Sequence, residues 1–145
     1  MTHAPYDEDL DVQAALDAAF QAAARENKRI LVVMGGAWCP DCVVLDQMMG
    51  RHEIAPKLDE LFEIVKFSVG RYDKNLDAVH RLGFAELKGA PAVLVFTSKG
   101  EAVRRDRAYD WRTARSRKPS EFLAAMIEAA AAAPDTGDRV STRGV

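Results

Sequence analysis

The chain has 145 residues, 48% of them hydrophobic and 29% charged, with a formal net charge of −2. That size supports one domain with its own core. The near-neutral charge argues against nucleic-acid binding, two cysteines are too few for a disulfide-built scaffold, and no stretch approaches the roughly 20 apolar residues of a membrane-crossing helix.

In chain order, Asp9 to Asn27 predicts an amphipathic helix, because Val12, Ala15, Leu16, Ala19, Phe20 and Ala23 recur at helical spacing. Ile30 to Met34 comes next as a strand apolar on both faces, the pattern of a central strand covered by helices. A second helix buries Val44, Leu45, Met48 and Met49, with the methionines as core filler. Pro56 interrupts or restarts it, and Phe62 to Val69 is the next strand. Asp73 or Asn75 is expected to cap a short helix, Leu76 to Leu82, that Gly83 ends. Ala92 to Phe96 is a third strand, and Thr97-Ser98-Lys99-Gly100 a turn. The polar run Glu101 to Arg107 then reads as an antiparallel edge strand. A last helix starts near Pro119 and buries Phe122, Leu123, Met126, Ile127 and Ala130. Pro134 to Val145 is nearly free of apolar groups and is expected to be a disordered tail, leaving 1–133 as the folded domain.

This order implies an α/β fold with a central mixed β-sheet flanked by helices. Its distinctive stretch is Leu31-Val32-Val33-Met34-Gly35-Gly36-Ala37-Trp38-Cys39-Pro40-Asp41-Cys42. Both cysteines lie here, two residues apart, after an apolar strand, which suggests a reversible dithiol rather than a structural staple. Pro40 suits the first position of a helix, where its missing N–H costs nothing. Cys39 is therefore expected at the exposed helix entrance and Cys42 one turn inside. Unpaired N–H groups and the helix dipole at the entrance favour the thiolate that attacks disulfides. A zinc half-site and an idle pair are the competing readings, but His3, His52 and His80 show no ligand spacing with the cysteines, so no metal is expected.

The Trp-Cys-Pro-Asp-Cys motif, together with Val69 to Asp77 and Lys88-Gly89-Ala90-Pro91-Ala92-Val93, resembles the thioredoxin-like thiol–disulfide oxidoreductases over roughly Tyr6 to Ala130. The resemblance implies a thioredoxin fold with the dithiol at the carboxyl end of a central strand. It also implies that Cys39 is the nucleophile, Cys42 the resolving thiol, and Pro91 a cis proline facing them. Without it, Pro91 reads as a trans proline at a strand start. Ala90 would offer its N–H and C=O to an extended substrate chain. Trp38 is a flat platform for substrates or a partly buried core ring, and Pro40 and Asp41 complete the substrate-facing turn.

The chain departs from the family in two places. Gly35 and Gly36 stand where thioredoxins often carry bulky aromatics, which implies a more open surface. Val33 occupies the position of a buried acid that helps the resolving thiol lose its proton. Asp41 is then either a replacement acid or a first-turn carboxylate matched to the helix dipole. The basic run from Arg104 to Lys118, with seven basic and two acidic residues, reads as a solvated edge or a dock for an acidic partner.

The expected function is reduction of protein disulfides through a mixed disulfide, without metal or organic cofactor. The expected partners are disulfide-bearing proteins and a reductase or dithiol electron donor; neither nucleic acid nor membrane is expected, and the chain is expected to be a monomer. The rival is a redox-sensing or partner-binding module on the same scaffold without turnover. The start Thr2 to Glu8 reads as cytoplasmic, or periplasmic if an export signal has been trimmed, since relatives carry one upstream of a similar Tyr-Asp-Glu start.

Overall fold

A computed structural model describes residues 6–137 and 139–143. Helix α1 spans Val12–Glu26; Asp11 caps it by accepting the Ala14 N–H, and Asn27 closes it in the left-handed conformation at φ 56°. Strand β1, Arg29–Gly35, runs into helix α2, Pro40–Met49, and a short helix α3, Ala55–Leu61, leads to β2, Phe62–Ser68. After α4, Leu76–Arg81, come β3, Ala92–Phe96, and β4, Ala102–Val103. Two 3₁₀ segments, Arg105–Arg107 and Asp110–Ser116, lead to α5, Pro119–Ala131. No helix among the described residues is long and apolar enough to cross a membrane.

The sheet order is β2-β1-β3-β4, with β1 parallel to β2 and antiparallel to β3, and β3 antiparallel to β4. The expected mixed sheet between helices is therefore the observed one. Alternation along the strands sorts the core into two layers. Ile30, Val32, Met34, Phe67, Leu94 and Phe96 face α1 and α4, whereas Leu31, Val33, Val93 and Val95 face α2, α3 and α5. Because β1 is central and buried along most of its length, its carboxyl end is a rigid base for the turn into α2.

Four sequence expectations are corrected. The edge strand is two residues long rather than seven: Arg104 turns into the left-handed region at φ 55°, and the Asp135 carboxylate accepts the N–H groups of Arg104 and Arg105 at 3.1 and 2.9 Å. In α5 the buried face carries Phe122, Met126 and Ala129, while Ile127 is exposed and Leu123 and Ala130 are half-buried. Neither Asp73 nor Asn75 caps α4 through its side chain. Asn75 instead donates to the Ser68 carbonyl, and Asp73 accepts the Arg71 N–H. The basic run is not simply solvated either, since Trp111 within it is buried edge-on against Phe122, with ring centroids 4.9 Å apart. Gly83 does end α4, at φ 98°, with Gly83 N–H bonded to His80 C=O and Phe84 N–H to Val79 C=O.

The described part of the C-terminal segment runs along the sheet edge. Asp135 N–H donates to Ala102 C=O at 2.8 Å, Val140 N–H to Gly100 C=O at 2.9 Å, and Arg81 Nε to Ser141 C=O at 3.0 Å.

Candidate active site

The strand-to-helix junction sets the site. The chain leaves β1 at Gly35 and turns through Gly36 and Ala37, entering α2 with Cys39 as N-cap and Pro40 in the first position. Cys39 Sγ accepts the Cys42 N–H at 3.3 Å, the bond a capping side chain makes to a free first-turn donor. Cys42 lies one turn inside and is fully buried, in agreement with the spacing. Cys39, expected at an exposed position, is only 6% accessible, covered by the loop that carries Ala90 and by Tyr6. Its thiol approaches the Ala90 carbonyl oxygen at 3.6 Å, and Ala90-Pro91 is a cis peptide. The structure thus brings Cys39, Cys42 and Ala90 together, with Pro91 adjoining.

Trp38 sits beside this cluster, 38% exposed. Its indole N–H donates to the Gly70 carbonyl at 2.5 Å, Tyr72 meets its ring edge-on at 5.8 Å, and the Arg71 guanidinium lies 5.2 Å over it. Tyr72 and Leu76 are also exposed, each at 41%, and both line a cleft with Val69, Val79, His80 and Leu87. On the other side Arg112 packs against Gly89 and lies over the Tyr109 ring. Apolar rings flanked by arginine side chains therefore border the thiols.

The glycines do not open the surface as expected. A Cβ on Gly35 would lie 2.6 Å from Cys42 Sγ and 2.8 Å from the Tyr6 hydroxyl, and one on Gly36 would lie 2.6 Å from the Trp38 indole nitrogen. The space is already filled by Tyr6 and Trp38, and glycine is what lets them approach. Sequence reasoning misses Tyr6 as a site residue. Its only signal is a single aromatic ahead of α1, with no periodicity to join it to the motif.

Val33 is buried in the apolar layer under α2, so no acid lies on β1 at that point. The Asp41 Oδ1 accepts the Arg115 N–H at 2.9 Å and Arg115 Nε at 3.2 Å, tying the first turn of α2 to the segment Asp110–Ser116. Nearer Tyr6, Asp46 and Lys66 form an ion pair, and Lys66 Nζ lies 5.1 Å from the Tyr6 ring centroid.

Burial is the main force that pushes the Cys42 thiol up, to about 12, with the neighbouring Cys39 thiol adding to it. The Gly36 backbone and the Tyr6 hydroxyl pull the other way. Tyr6 is raised as well, again chiefly by burial and then by Cys42, Asp46 and Cys39. Among the described residues no cluster of His, Cys, Asp and Glu has the makings of a metal site. The arrangement is one thiol at a helix cap, a buried thiol behind it held in its protonated form, and a peptide backbone group against the first.

The sequence matches a family model described as thioredoxin-like over residues 11–98. Among solved structures, a disulphide isomerase from Xylella fastidiosa Temecula1 is 31% identical with a TM-score of 0.79; the match covers 86% of this chain and 97% of that one. The C-terminal domain of Neisseria meningitidis DsbD, in its oxidised form, is 17% identical with a TM-score of 0.48, covering 79% of this chain and all of that domain. No curated protein matches the sequence.

Proposed function

Since the chain belongs to the thioredoxin-like family, we propose that it is a thiol–disulfide oxidoreductase that reduces disulfides of protein substrates with Cys39 and Cys42. The observation that carries this reading is the pairing of Cys39 Sγ with the Ala90 carbonyl at the mouth of a rigid strand-to-helix turn. A substrate strand laid along Ala90 would bring its disulfide onto Cys39, with Trp38 and Tyr72 as the apolar surface beside it. Cys39 attacks one substrate sulfur and forms a mixed disulfide, releasing the other as a thiolate. Cys42 then attacks the Cys39 sulfur, so the substrate leaves reduced and the site is left as an internal disulfide. A reductase or dithiol donor protein restores the dithiol.

The reducing direction is supported by the residues between the cysteines. A strongly oxidising pair owes its potential to a stabilised thiolate, and Pro40-Asp41 supplies no cation for one. The related Xylella protein is described as a disulphide isomerase; isomerisation would begin with the same attack by Cys39 and differ in the fate of the mixed disulfide. The test is catalytic turnover of a disulfide-bonded protein, such as insulin, with dithiothreitol as electron source. Many reduced disulfides per protein molecule are expected. A single equivalent, with stable capture of partners, would favour a redox-sensing or partner-binding module instead.

A further inference from the structure

Resolution of the mixed disulfide requires the buried Cys42 to lose its proton, and Val33, on the strand six residues before Cys39, is apolar rather than an acid. The group beside the thiol is Tyr6. Its side chain is over nine-tenths buried in one cluster with Cys39 and Cys42; its hydroxyl has no nitrogen or oxygen partner among the described residues and turns instead to the Cys42 sulfur, both lying against the Gly35 Cβ position. A buried hydroxyl with only a weakly accepting thiol for a partner costs free energy, so one held against a reacting sulfur calls for a reason. Building on the assignment of Cys42 as the resolving thiol, we propose that the Tyr6 hydroxyl is the hydrogen-bond donor that stabilises the Cys42 thiolate as it forms and attacks.

The chemistry balances without proton transfer from the phenol. Cys42 releases its proton to water, and its thiolate attacks the Cys39 sulfur of the mixed disulfide. The Cys39–Cys42 bond forms as the bond to the substrate sulfur breaks, and the substrate leaves as a thiolate that takes up a proton. Tyr6 keeps its own proton, and its ordinary acidity is far too weak for it to compete. A hydroxyl donor has only a weak acceptor while Cys42 is a neutral thiol and gains a strong one when sulfur becomes charged. The arrangement thus favours the reacting state over the resting one.

Burial above all, and then the surrounding charges, hold the phenol in its neutral form. Asp46 on α2 and the two thiols disfavour its ionisation, while Lys66 on β2, paired with Asp46, lies over the ring. Tyr72, in the loop after β2, also senses both thiols and is raised, chiefly by burial, so it too stays neutral at ordinary pH.

The experiment uses Tyr6→Phe, which keeps the ring and its contact with Lys66 and removes only the oxygen. Reduced protein is mixed with 5,5′-dithiobis(2-nitrobenzoate) in a stopped-flow instrument, and thionitrobenzoate release is followed from pH 6 to 10. Wild type should release one equivalent as Cys39 attacks and a second as Cys42 resolves. In Tyr6→Phe the first phase should be unchanged and the second slowed on the order of ten- to a hundredfold, the worth of a hydrogen bond to a charged group. Its rate-against-pH curve should be displaced upward by roughly one to two units, with an unaltered urea midpoint. Equal second phases in the two proteins would overturn the proposal, and so would equal slowing of both phases or a fallen midpoint, either of which makes Tyr6 a packing residue. If wild type itself released no second equivalent, the assignment of Cys42 as resolving thiol would fail first, whatever Tyr6 does.

Discussion

Asp41 and Arg115 lie 74 positions apart in sequence, yet one carboxylate oxygen of Asp41 takes both the backbone N–H and the side-chain Nε of Arg115. The bond fixes the first turn of α2, and hence the dithiol, to the 3₁₀ segment Asp110–Ser116. A carboxylate engaged in this way is expected to serve as a tether rather than as a base for Cys42. Asp41→Ala should therefore lower stability by about 1 kcal/mol, the net worth of such a bond, and leave the rate of mixed-disulfide resolution within a factor of about two of wild type. Chemical denaturation and single-turnover release measure the two effects separately. A resolution rate that collapsed with stability intact would restore Asp41 as the proton acceptor.

The order of attack is tested by serine at each cysteine. Cys42→Ser should leave Cys39 able to capture a substrate but unable to release it, so mixed disulfides accumulate on a non-reducing gel. Cys39→Ser should abolish both capture and turnover. Its stability should hold or rise slightly, since serine is itself a good N-cap and can accept the Cys42 N–H that Cys39 now accepts. Trapping by Cys39→Ser and not by Cys42→Ser would reverse the two roles.

Gly35 is required by volume. Gly35→Ala places a methyl against Cys42 Sγ and the Tyr6 hydroxyl at distances shorter than contact, and overpacking of this kind costs about 1–3 kcal/mol. The variant should unfold at lower denaturant concentration and resolve mixed disulfides more slowly, because both groups that crowd the methyl belong to the resolving step. A fully active and stable Gly35→Ala protein would show that Tyr6 does not press against Cys42 at this turn.

The raised Cys42 thiol makes the reduced protein sensitive to alkali. A folded value near 12 against an unfolded thiol near 8.5 means that the folded state holds this proton more tightly. The contribution is complete below about pH 8.5 and is lost as pH rises from there towards about 12, at up to roughly 1.4 kcal/mol per unit. Urea unfolding of the dithiol form at pH 8, 9 and 10 should show this fall. Cys42→Ala should show a shallower one, with the residual slope due to lysines and tyrosines. Identical slopes would mean that the thiol is not protected in the folded state.

What the sequence revealed and what it hid divide along the range of the interactions. The stripe of α1, the strand Ile30 to Met34 and the Cys39-Pro40 helix start depend on neighbours a few residues away, and each formed where it was expected. In α5 the alanine-rich sequence offers little contrast between faces, so the phase that buries Ala129 and exposes Ile127 is set by packing on Trp111 and the sheet rather than by pattern. Trp111 itself lay hidden in a run of charges, and Tyr6 carried no periodicity at all. The tether from Asp41 to Arg115 joins two polar residues whose proximity only the tertiary fold creates. Local chemistry located the thiols, whereas the groups that tune them arrive from distant segments.

The hydrogen bonds from Asp135 and Val140 to Ala102 and Gly100 have a further effect. The outer side of β4 would otherwise present backbone groups to any extended chain, the template from which strands of neighbouring molecules recruit one another. With that side capped by the protein's own C-terminal segment, an extended substrate finds no competing groove at this end of the sheet. The described residues after Ala133 thus shield, with the chain's own backbone, an edge that would otherwise stand open to strand pairing.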